Sequence, residues 1–102
     1  MKTKYGIIKE LECTCSCCPS QWEGLTENNE AVYIRYRWGC LTIELSKPDG
    51  TIFEAIRNGE LIYSEQIGSE LDGDISPEEV KRIIKENNLF EIGEVKNDKS
   101  SC

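Results

Sequence analysis

Residues 31–46, AVYIRYRWGCLTIELS, decide the fold of this chain. They alternate apolar and polar, and the alternation changes phase at Gly39: Val32, Ile34, Tyr36 and Trp38 share one parity, while Leu41, Ile43 and Leu45 share the other. Side chains of a strand alternate faces with a period of two, so a phase change at a glycine marks a turn or a bulge. A tight turn over Trp38-Gly39 sets Tyr36 opposite Leu41, Ile34 opposite Ile43 and Val32 opposite Leu45, which puts every apolar pair on one face. The other face then carries Tyr33, Arg35 and Arg37 beside Thr42 and Glu44. The hairpin has a core side and a cationic, aromatic side.

Working outward, Tyr5 to Cys17 also alternates, with Ile7, Leu11, Cys13, Cys15 and Cys17 on one side and Lys9 breaking the pattern. This reads as a half-buried strand that ends at Cys18-Pro19-Ser20. A polar loop holding Trp22, Gly24 and Asn28-Asn29 follows, and Trp22, its one large apolar residue, reads as a lid or anchor. Beyond the hairpin, Lys47-Pro48-Asp49-Gly50 is turn chemistry, Thr51 to Ile56 reads as a strand, Asn58-Gly59 as a second hairpin turn, and Leu61 to Ile67 as a last strand. After an acidic, glycine-containing loop the period changes. Ser76 caps, Pro77 takes the first helical position, Glu79 completes a capping box, and Val80, Ile83 and Ile84 form an apolar stripe that runs to about Asn88. Leu89, Phe90 and Ile92 pin the chain as it leaves the helix. The expectation is an α+β domain over residues 1–93, an antiparallel β-meander of about five strands with one C-terminal amphipathic helix, followed by a flexible polar tail over 94–102.

At 102 residues the chain has room for one domain, which buries about two-thirds of the surface its unfolded form exposes. Hydrophobic residues make up 38% and charged residues 30%, which suits a small sheet with a wet outer face or a homo-oligomer that shares its core. A net charge of −7 argues against duplex nucleic acid, which is held by neutralising phosphates, yet leaves room for a small anion gripped by two or three local arginines. No apolar run resembles a secretory signal or a membrane span, so the expected location is the cytoplasm. Thiols there stay reduced, and the six cysteines are not read as a disulfide framework.

Three features could carry chemistry. Tyr33, Arg35 and Arg37, with Trp38 at the turn and Trp22 from the loop, combine the planar fork that suits phosphate with aromatic faces that suit a base. The same residues also fit a solvated strand face or a protein interface. Cys13, Cys15, Cys17 and Cys18, with Cys40, could hold zinc. The chain has no histidine, and C-x-C is closer than the usual knuckle, so buried thiols on a strand are the competing reading. Glu70, Asp72 and Asp74, with Glu78 and Glu79, either hold a divalent cation or complement a helix N-terminus. Without a histidine, a nucleophile elbow or a phosphate-cradling glycine loop, the chain reads as a binder and not an enzyme.

Residues 15–39, with a C-x-C-C-P-x-Q-W-E-G loop leading into Y-I-R-Y-R-W-G, resemble small, largely uncharacterised proteins encoded in bacteriophage genomes. The resemblance brings no catalytic residues with it and implies context: a short acidic protein that antagonises a host system. On that footing the leading expectation is a counter-defence protein acting in the host cell that sequesters a nucleotide-type immune signal on its Arg/aromatic face. A protein–protein inhibitor of a host defence enzyme and a zinc-stabilised interaction module are the alternatives.

Overall fold

A computed structural model describes residues 3–15, 20–68 and 75–96. Six strands and two helices follow in the order β1 (Ile7–Cys15), β2 (Ser20–Thr26), β3 (Glu30–Arg37), β4 (Cys40–Pro48), α1 (Ile52–Asn58), β5 (Glu60–Gln66), α2 (Pro77–Glu86) and β6 (Glu91–Lys96). The strands form one sheet in the order β5-β4-β3-β2-β1-β6. The β3–β4 hairpin has the register that its alternation requires, with Tyr36 paired to Leu41, Ile34 to Ile43 and Val32 to Leu45. One irregularity, between Glu30 and Val32, is sealed by a side chain: Ser46 Oγ accepts the Ala31 N–H at 2.9 Å.

The core lies on one face of the sheet. Ile8, Leu11, Trp22, Val32, Ile34, Tyr36, Leu41 and Ile43 are buried there with Val80, Ile83 and Ile84 of α2 and with Leu89 and Phe90 behind them. Each aliphatic side chain so enclosed contributes about 1.5–3 kcal/mol. Helix α2 starts as its sequence requires, with Ser76 Oγ accepting the Glu79 N–H at 3.2 Å and Pro77 in the first turn. The Glu79 carboxylate turns away from the cap and joins Arg82, which also binds Glu86, so half of the capping box is made. Helix α1 lies on the opposite face, where Ala55 is fully buried against Ala31 and Tyr33. The sheet thus carries a helix on each side, α2 with Leu89 and Phe90 on the core face and α1 on the other.

Five expectations are corrected. The sheet has six strands and is mixed: β6 runs parallel to β1, with Ile8 level with Ile92 and Leu11 with Val95. Residues 94–96, assigned to a tail by their polarity, belong to that strand; the rest of the expected tail lies outside the described residues. The polar loop around Trp22 is strand β2, whose inward positions Ser20, Trp22 and Thr26 are all buried. Small polar side chains hide its alternation, yet each is satisfied: Ser20 Oγ accepts from Ile75 N at 3.2 Å, and Thr26 Oγ1 accepts from Glu30 N at 3.1 Å. Its fourth inward position, Gly24, is fixed by space, since a Cβ there would lie 2.9 Å from the Glu10 carbonyl oxygen.

The expected strand at Thr51 to Ile56 is helix α1. Thr51 Oγ1 accepts the Glu54 N–H at 3.3 Å as an N-cap, and Ala55 is the small residue that lets the helix sit on the sheet. A short apolar run does not reveal its period, and here capping and packing settle it. Asn58-Gly59 is therefore the end of a helix, not a hairpin turn, and Gly59 has an ordinary φ of −69°. The glycine is demanded by proximity: a Cβ would fall 2.2 Å from the Ala55 carbonyl oxygen. Gly59→Ala is expected to cost about 1–3 kcal/mol by overpacking, read as a lower midpoint in urea unfolding with an unchanged slope.

Candidate ligand-binding site

The free face of the β3–β4 hairpin ends in a shallow depression of about 270 Å³ lined by Arg35, Arg37, Trp38, Cys40 and Thr42. The backbone that builds it is strained and braced. Trp38 and Gly39 both have positive φ, 58° and 72°, the condition of a two-residue hairpin turn whose twist matches its strands. Glycine adopts this conformation freely, whereas a bulky tryptophan does so rarely. The end of β5 holds the turn in place: Gln66 Nε2 donates to the Trp38 carbonyl at 2.9 Å, and Ile67 N and Gly68 N donate to the Gly39 carbonyl at 2.8 and 3.0 Å. Strain held by surrounding bonds recurs where a side chain is positioned for use.

Burial does not explain Trp38, which is 59% exposed. The Arg37 guanidinium carbon lies 4.9 Å from its ring centroid, so a cation and an indole are presented together. Arg35 is the inner member of the site. Its Nε–H is buried and has no hydrogen-bond partner, and no ion pair within 4 Å among the described residues involves it. Its charge is still felt nearby. Burial raises the Glu44 carboxyl above its usual range while Arg35 pulls it back down, and Tyr33 is raised by burial and lowered by the same guanidinium. An unpaired buried donor costs about 1–3 kcal/mol.

The expected site residues separate into two groups. Arg35, Arg37 and Trp38 come together, joined by Thr42, Cys40 and the bracing Gln66. Tyr33 shares their face but is 6% exposed beneath α1, so it offers no stacking surface. Trp22, expected as a lid or anchor, is on the opposite face, 1% exposed within the core and away from Arg35, Arg37 and Trp38. Thr42 was legible as the cross-strand partner of Arg35. Gln66 was not, because its role depends on β5 returning beside the turn.

The cysteines disperse as well. Cys13 is buried on the core face opposite Trp22, while Cys40 opens onto the free face three strands away with its Sγ 3.6 Å from Ser64 Oγ. These two cannot bind one ion. Cys15 ends β1 beyond a register shift, and Cys17 and Cys18 lie outside the described residues. No group of three potential metal ligands occurs among the described residues. Glu70, Asp72 and Asp74 of the acidic loop also lie outside them.

At the other end of the same face, Glu12 and Glu23 stand directly opposite each other on β1 and β2. Burial, and then Glu12, push the Glu23 carboxyl up, against a smaller opposing effect of the Thr14 hydroxyl. A raised carboxyl favours the fold when protonated and loses that contribution as the pH rises through its folded value. Glu23→Gln is therefore expected to raise stability at pH 7 by on the order of 0.5 kcal/mol after solvent screening, read as a higher melting temperature, and to give no gain below about pH 4.

No family model, curated protein or solved structure matches the chain.

Proposed function

We propose that the chain is a non-enzymatic binding protein that sequesters a small anionic ligand of nucleotide type in the depression formed by Arg35, Arg37 and Trp38. The observation that carries this reading is that Arg35, whose Nε–H is buried and has no hydrogen-bond partner, lines one depression with Arg37 and Trp38. Two guanidinium forks side by side match the oxygens of a phosphate, and the exposed indole beside them supplies a stacking face for a base. The resemblance to phage-encoded proteins makes an immune signal the natural ligand class, and tight holding without chemistry is sufficient to silence one.

A second reading is favoured by the exposure of Trp38 at a hairpin tip: the same Arg and Trp side chains dock on a host enzyme. Trp38 fluorescence separates the two, since Trp22 is buried and contributes a constant background. A titration with mono-, di- and cyclic nucleotides should quench the exposed indole if nucleotides bind. Trp38→Asn is expected to weaken that binding at least about ten-fold, the loss of one stacking partner, while raising stability by about 1 kcal/mol through relief of the left-handed strain. A variant that binds as tightly as the parent would overturn the stacking role. A stable complex with a host protein and no nucleotide retained would favour the inhibitor.

A further inference from the structure

Helix α1 leaves an apolar flank uncovered. Ala55 and Ile52 pack toward the sheet, but Ile56, one turn beyond Ile52 on the same flank, is 42% exposed, and Phe53 beside them is 72% exposed. Burying a phenylalanine is favourable, and folding leaves that contribution unrealised. Along the flank the sheet falls into a depression of about 310 Å³. Leu25, Ala31 and Ile52 line it together with Glu10, Glu12 and Glu23, Glu10 standing opposite Leu25 across β1 and β2. Glu12 and Glu23 oppose each other directly, no ion pair among the described residues involves either, and burial adds to the penalty on Glu23.

We infer that this groove docks a segment of a partner protein in which lysine or arginine alternates with bulky apolar side chains. Charge complementarity selects the basic residues, which relieve the repulsion between Glu12 and Glu23. The apolar residues cover Leu25, Ile52, Ile56 and Phe53. The flank continues along the helix past the depression, so a small polyamine would neutralise the carboxylates and leave Phe53 and Ile56 bare. The groove meets β3 at Ala31 and the arginine depression meets it at Arg35 and Arg37, so the two sites occupy opposite ends of one face and are independent.

The test is fluorescence anisotropy with the full chain and a fluorescein-labelled peptide of alternating leucine and lysine, with serine–lysine and leucine–glutamate peptides as controls. The expected result is micromolar affinity for the leucine–lysine peptide and at least about ten-fold weaker binding of both controls. The Glu12→Gln/Glu23→Gln double variant should lose a similar factor and Phe53→Ser about five-fold, with circular dichroism unchanged, whereas Arg35→Glu should bind the peptide at least as well. Equal affinity for the serine–lysine peptide, displacement by an equal concentration of spermidine, or an equal loss on Glu78→Gln/Glu86→Gln would overturn the proposal.

Discussion

Reversing the charge at Arg35 is expected to abolish nucleotide binding. A charge-assisted hydrogen bond from a guanidinium is worth about 1.5–3 kcal/mol, and a glutamate in its place adds repulsion toward the phosphate. The combined effect is a loss of at least about 100-fold, or roughly 2.7 kcal/mol, measured by calorimetric titration. Arg35 also tempers the partly buried carboxyl of Glu44, so Arg35→Glu is expected to lower stability as well. Two milder variants separate the effects. Arg35→Gln keeps most of the side-chain length and removes the charge, and Arg35→Lys keeps the charge and loses the fork. If the fork matters, both weaken binding and the lysine restores only part of it. Affinity equal to that of the parent in both would remove Arg35 from the site.

Trp22→Ala should have the largest effect on stability. The indole is enclosed by the core on the strand next to β3, paired across β1 with Cys13 and across β3 with Ile34. Truncating a buried tryptophan to alanine costs about 3–5 kcal/mol, a large part of the 5–15 kcal/mol that holds a domain of this size together. A fall in melting temperature of about 15 °C or more is expected, with ligand affinity unchanged wherever the protein remains folded. Trp22→Phe refines the point. The indole Nε1–H has no hydrogen-bond partner, so a phenyl ring forfeits volume but no bond and should cost far less than alanine. A Trp22→Ala protein of normal stability and poor ligand affinity would instead make Trp22 a lid over the site.

Residues 31–46 were legible because the hairpin is local: the pairing of Tyr36 with Leu41 and of Arg35 with Thr42 follows from one turn and one alternation. Helix α2 was legible through Ser76, Pro77 and its apolar stripe. What escaped depends on distant contacts. Strand β6 is short, polar and interrupted by Gly93, and it is a strand because β1 lies beside it, where a Cβ on Gly93 would come 2.8 Å from the Lys9 carbonyl oxygen. Lys9, which breaks the alternation of β1, is the extra residue of a register shift that turns Ile8 into the core. At the candidate site the sequence identified Arg35, Arg37 and Trp38 through their shared position on one hairpin. It could not show that α1 closes over Tyr33, because residues 51–56 suit a strand as well as a helix until Ala55 meets Ala31.

Native mass spectrometry of the protein purified from cells, before and after incubation with a mixed nucleotide pool, tests the central claim most directly. The account predicts an added mass of nucleotide size that disappears in Arg35→Glu, and the same spectra count the chains that share each ligand. A clean chain mass that ignores every nucleotide, in a protein whose Arg35→Glu variant behaves identically, would contradict it.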